Sequence, residues 1–318
     1  MSTSDPVLAR ILARLHDPDD TVRSLAVAAL ADIATDDEVP LFVTALQDES
    51  AAVRARAAQV LADYLNASSI VALHRALSDP IAAVRFAAAQ SLSELKDPIF
   101  ATQLLDYLGS ASGFAKAGLL RALRELRAEA AAHPATLALQ ENDADVRREA
   151  IGVLGYLKFA TALPALSALA ISDPDRVVRK AAVGSLVMGR ESVAIPALIQ
   201  ALTDEDWEVR EEAAIVLGKL RAIQSVPALL QVLEDAYWQV RVKAVRSLGL
   251  IGASDAVAAL LVVARAPLSN LRKEAATALG LIGDLAALQV LQHLLDDEDA
   301  DVRKSARTAL EQIKHRCP

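Results

Sequence analysis

Apolar residues fall in short helical stripes along this chain. Within 204–220, Val209, Ala213, Leu217 and Leu220 recur at spacings of three and four, which places them on one helix face. Asp204 is expected to supply turn and cap bonds, and Glu205, Asp206 and Glu208 crowd the first turn, where the helix dipole favours negative charge. A second apolar segment, Val226 to Leu233, carries Pro227 near its start. Proline suits that place because the first N–H of a helix has no intrahelical partner. The pattern predicts two short helices joined by tight turns.

The chain writes this unit repeatedly. Val-Arg occurs at Val22, Val53, Val84, Val146, Val178, Val209, Val240 and Val302, with Ala115-Lys116 and Leu271-Arg272 filling the gaps. The ten positions lie 31 residues apart, except for 32 between Val146 and Val178. Five residues earlier stands Asp17, Asp48, Asp79, Asp173, Asp204, Asp235 or Asp297, with Ser110, Glu141 and Ala266 as departures. Four residues later the residue is usually alanine and eight later leucine; a glycine often follows, as at Gly155, Gly218, Gly249 and Gly280. Pro40, Pro164, Pro196 and Pro227 each lie 18 residues after their Val.

The repeat Asp-x-x-x-x-Val-Arg-x-x-Ala-Ala-x-Ala-Leu-Gly, followed by Val-Pro-Ala-Leu, resembles the short HEAT-like repeat of phycobilisome-lyase subunits. The resemblance spans essentially the whole chain. It implies an all-α fold: a right-handed α-solenoid of about ten two-helix repeats of 31 residues, forming one solenoid over residues 1–318. The fourth repeat departs from the pattern at Ser110-Ala111-Ser112-Gly113, so a kink or change of curvature is expected near 109–133. Its Arg121, Arg124, Glu125, Arg127 and Glu129 read as a solvated, salt-bridged helix. Ala266-Pro267-Leu268 is a second, differently built turn.

Composition suits this reading. Hydrophobic residues make up 53% of the 318, yet aromatics only 3%, which fits closely packed Ala- and Leu-rich helices better than sheets. A net charge of −8 argues against a general binder of nucleic acid or anionic membrane. No apolar run reaches a membrane span, and the start, Met1 to Pro6, lacks a signal-peptide layout, so a cytoplasmic protein is expected. One cysteine, Cys317, builds neither a disulfide framework nor a metal site.

Catalytic chemistry needs a constellation, and none is evident. The five histidines, His16, His74, His133, His293 and His315, lie in distant repeats. The His-Glu pairs of the diiron hydroxylase that shares this repeat are missing, and the glycines read as helix ends, not as a phosphate loop. No cofactor and no metal are expected. A HEAT-type DNA glycosylase would need a basic face, but this one is mixed.

Recurrent Val, Ala and Leu specify the stack, and recurrent Asp and Arg are expected to form a charge ladder between repeats. Function should therefore sit where the repeat leaves residues free. The resemblance places those positions of the Val-Arg helix on a concave side. From the fifth repeat onward they become aromatic, apolar and charged: Tyr156, Arg176, Lys180, Met188, Trp207, Glu211, Ile215, Lys219, Trp238, Val242, Arg246 and Leu250. Trp207 and Trp238, the two tryptophans of the chain, hold equivalent positions in adjacent repeats, roughly 10 Å apart if the helices stack. Tyr237 is expected at their rim. Aromatic anchors in a charged rim point to another protein as partner, with no nucleic acid and no membrane. The alternative that the resemblance implies is a bilin-lyase-like subunit or cofactor-assembly factor, handling a client protein that bears a tetrapyrrole or metallocofactor.

Overall fold

The computed structural model describes residues 6–189 and 193–316, so Cys317 and the first five residues lie outside it. Every regular element among the described residues is helical. Two compact units divide the chain, Met1–Lys158 and Phe159–Pro318.

In the first unit the Val-Arg segments form the helices Asp20–Ala31, Ala51–Val60, Ala82–Ser93, Gly113–Glu125 and Ala144–Tyr156, each packed on the next. They alternate with Pro6–Arg14, Val39–Ala45, Ala67–Ala76, Ala101–Leu108 and Ala132–Ala138. In the second unit Arg176–Ser185, Trp207–Leu220, Trp238–Ile251, Ser269–Ile282 and Ala300–Arg316 stack in the same way. Leu163–Ser172, Ala194–Ala201, Val226–Val232, Val257–Val263 and Leu288–His293 form their second layer. Two-helix repeats packed in series on their neighbours make an α-solenoid.

The recurrent residues form the core. Val84, Val209, Val240 and Val302, the alanines four residues on and most of the leucines eight residues on have no measurable exposure. Pro40, Pro164 and Pro227 sit in the first turn of their helices, as the missing N–H requires.

Three local expectations change. The cap of the Trp207–Leu220 helix is Asp206, whose side chain accepts from the Glu208 amide; Asp204 instead accepts from the Asp206 amide at 2.8 Å and shapes the turn before it. Gly218, Gly249 and Gly280 lie inside helices and end none of them. A Cβ on Gly249 would stand 2.7 Å from the Ala278 Cα, and one on Gly280 2.7 Å from the Ala309 Cα. These glycines let neighbouring backbones touch; the helix ends are made by Gly252 and Gly283 at positive φ, and by Arg221 at φ 51°. In the fourth repeat the helix forms over Gly113–Glu125, and its arginines are not merely solvated. Arg121 and Arg124 converge on Glu149 of the next repeat at 2.7 and 3.1 Å, and that carboxylate is buried.

Candidate functional site

The expected charge ladder is present and has a fixed construction. Arg179 donates through Nε and Nη2 to both oxygens of Asp204, at 2.8 and 3.0 Å. Its Nη1 donates to the carbonyl of Asp173, six residues back. Arg23–Asp48, Arg54–Asp79, Arg210–Asp235 and Arg272–Asp297 repeat the fork at the same separation. Each Asp also accepts from the amide two residues on, as at Ser50, Ile81, Tyr237 and Asp299. Every donor faces a backbone carbonyl or a carboxylate, so the fork costs little to bury. The arginine hydrogen bond holds Asp48, Asp79 and Asp297 below the usual carboxylate range. Burial pushes Asp235 up, but the Arg210 bond, the Tyr237 amide and nearby guanidinium charge outweigh it, and its pKa too is lowered.

The free positions of the second unit lie on the same helices. Trp207 and Tyr237 stack with centroids 5.4 Å apart and planes at 11°, and the Arg210 guanidinium covers the Tyr237 ring at 5.7 Å. The ring that meets Trp207 is thus that of Tyr237, not of Trp238. Trp238 remains 41% exposed and Tyr237 46%, so water touches rings that burial would favour. Leu250 is also exposed; Ile215 and Val242 are half-buried. Met188 is half-buried in the 3₁₀ turn Leu186–Met188, beyond the end of its helix.

Most of the charged candidates are engaged. Lys180 donates to Glu208 at 2.8 Å, Arg246 holds the buried Glu274 at 2.7 Å, and Arg176 reaches Asp206 at 3.3 Å. Glu211 faces Lys243 at 3.8 Å. The hydrogen bonds to Glu208 and Glu274 raise the pKa of Lys180 and Arg246. Lys219 is exposed. A groove of 440 Å³ opens between the first two Val-Arg helices of this unit, lined by Arg176, Val177, Lys180, Gly184, Glu208 and Glu212. The face therefore combines uncovered aromatic rings with charges already fixed in place.

Tyr156 belongs to the first unit, where it is exposed beneath the Arg127 guanidinium at 5.7 Å. That unit holds an aromatic pair the sequence did not single out. Phe86 and Phe114 meet edge to face at 5.0 Å, with Arg85 over the Phe114 ring at 5.6 Å. Both phenylalanines lie on Val-Arg helices of adjacent repeats, Ala82–Ser93 and Gly113–Glu125, at positions the repeat does not fix.

Among the described residues no helix is long and apolar enough to cross a membrane, and no three His, Cys, Asp or Glu side chains converge as metal ligands would.

Known proteins place this architecture. The family model described as HEAT repeats matches residues 6–70, 39–124, 131–218, 188–233 and 226–311. Comparison with curated proteins gives no match. Among solved structures, an engineered protein is similar at 22% identity and TM-score 0.57, over 98% of this chain and 99% of its own. The Escherichia coli protein YIBA is similar at 18% identity and TM-score 0.58, over 94% and 99%. Kap95p, in a complex with RanGDP, is similar at 14% identity and TM-score 0.74, over 98% of this chain and 53% of its own, so this chain spans about half of Kap95p. At these identities the likeness is one of fold.

Proposed function

The chain belongs to the HEAT-repeat family, and we propose that it is a non-enzymatic protein-binding scaffold whose grip is the free face of its Val-Arg helices, centred on Trp207, Tyr237 and Trp238. One observation carries this reading: the Tyr237 and Trp238 rings stay exposed, with Trp207 half-buried against Tyr237, although charged neighbours are locked in ion pairs between repeats. Rigid aromatic anchors with a pre-ordered polar rim are the make-up of a binding hot spot. The fold supports it further, since the similar Kap95p is found complexed with RanGDP and with Nup1.

The proposed surface comprises Arg176, Lys180, Met188, Trp207, Glu211, Ile215, Lys219, Trp238, Val242, Arg246 and Leu250 of the second unit; Tyr156 is proposed separately as a partner contact of the first unit. The lysine and arginine side chains act here mainly by holding the rim. Affinity purification with wild type and with the Trp207→Ala/Trp238→Ala variant tests the assignment. Loss of the bound protein with unchanged helicity by circular dichroism is the expected result; equal capture would refute it. Chromophore handling as a lyase-like subunit rests on the repeat's sequence alone. A shifted bilin absorption band on mixing with the purified protein is the outcome that would favour it.

A further inference from the structure

The ladder of the second unit has one vacant rung. Arg241 stands where Arg210 and Arg272 stand, and its partner should come from position 266, which is alanine. Nine repeats carry an arginine at this position. Eight of them, Arg23, Arg54, Arg85, Arg147, Arg179, Arg210, Arg272 and Arg303, donate Nη1 to the carbonyl six residues back. Arg241 makes no hydrogen bond or ion pair among the described residues, and its Nε is enclosed without an acceptor. Asp235 is near enough to feel its charge, but both carboxylate oxygens of Asp235 are already held by Arg210 at 2.6 and 3.0 Å.

Two other arginines of this kind, Arg85 and Arg303, have no carboxylate partner among the described residues, yet both keep their two backbone carbonyl acceptors. Arg85, whose partner position is Ser110, also lies over the Phe114 ring. Arg241 has neither. A buried, unanswered guanidinium N–H is costly, more so than a neutral one.

The surroundings of the vacancy are also reversed in charge. The turns at 203–206, 234–237 and 296–299 carry Asp204, Glu205, Asp206, Glu234, Asp235, Asp296, Asp297, Glu298 and Asp299. The turn at 265–268 carries no acid, and Arg265 is exposed there with no ion pair among the described residues. Tyr237, Trp238 and Leu268 around it are each more than a third exposed. Trp238 lies three residues before Arg241, so the two share a helix face.

We propose that this arginine is answered in trans: the Nη groups of Arg241, which unlike its Nε are not enclosed, seconded by Arg265, take the carboxylate of an Asp or Glu side chain in the bound protein, whose neighbouring apolar residue covers Trp238 and Leu268. The inference rests on the protein-binding reading and adds the chemistry of the partner, an acidic-apolar segment. A polyanion fits poorly, because a chain of net charge −8 lines the adjoining turns with carboxylates.

The substitution Ala266→Asp is the decisive test, because it fills the rung from within and preserves the fold. Random twelve-residue peptides displayed on phage are panned on the full wild-type chain, and enriched sequences are synthesised for titration by tryptophan fluorescence. Enriched peptides are expected to pair Asp or Glu with an adjacent apolar residue. They should bind Ala266→Asp and Arg241→Gln about tenfold or more weakly, the usual worth of a charged hydrogen bond. Arg241→Glu should instead accept a peptide with Lys in place of the acid. Peptides that lose binding with Trp207→Ala/Trp238→Ala but bind Ala266→Asp as tightly as wild type would overturn this inference and leave the scaffold reading standing. Failure to enrich any peptide, or enrichment indifferent to the tryptophans, would overturn both.

Discussion

At the residue scale, small side chains decide how closely repeats approach. Gly218 lies under Ser247, Gly249 under Ala278 and Gly280 under Ala309, and Ser247 Oγ donates to the Ala214 carbonyl at 2.7 Å across the same seam. A methyl at 249 would press on backbone, which cannot rotate away. Gly249→Ala is therefore expected to destabilise the protein by about 1–3 kcal/mol, despite alanine's better helix propensity. Thermal denaturation monitored at 222 nm checks this. Arg221 poses the opposite case: it ends its helix in the left-handed region, where Gly252 and Gly283 end theirs. Arg221→Gly should stabilise by about 1 kcal/mol, the cost of a Cβ in that conformation; a lower denaturation midpoint would contradict it.

At the element scale, the contacts between neighbouring Val-Arg helices follow one rule. Equivalent residues are 31 apart, yet side chains meet partners 25 residues on in Arg179–Asp204, 28 on in Lys180–Glu208 and Arg246–Glu274, and 30 on in Trp207–Tyr237. Helical side chains lean toward the N-terminus, so a long one reaches an earlier level of the parallel neighbour. That lean is why Tyr237, not Trp238, covers Trp207. It also makes the Asp–Arg rungs the joint between repeats. Asp204→Ala removes the acceptor of two Arg179 bonds and one turn amide, and should cost about 2–3 kcal/mol. Chemical denaturation, compared with Glu234→Ala at an exposed position with no ion pair among the described residues, separates the rung from a general charge effect.

At the scale of the whole molecule, these rungs set a response to acid. Asp48, Asp79, Asp235 and Asp297 have folded-state pKa values below the ordinary one. Their contribution is then complete above the unfolded value near 4 and is lost as pH falls through the folded values. The melting temperature is expected to drop steeply below about pH 4, and less steeply in Asp297→Asn. An identical profile for that variant would show that other groups govern acid unfolding.

The sequence by itself determined the helices, their 31-residue period, the buried Val, Ala and Leu of each, and the pairing of Asp with Arg, because each is a periodic constraint that ten repeats impose together. It also located Trp207 and Trp238 as departures from that constraint. Only the tertiary structure decided which side chains meet. Glu149 is buried under Arg121 and Arg124, Phe114 closes on Phe86, and the glycines sit at helix seams instead of helix ends. Period fixes equivalence, whereas contact depends on side-chain lean and backbone separation, which no spacing records. The same distinction governs Arg241: its repeat position is plain in the sequence, but only the tertiary structure shows that, alone of the nine equivalent arginines, it donates to no carbonyl or carboxylate among the described residues.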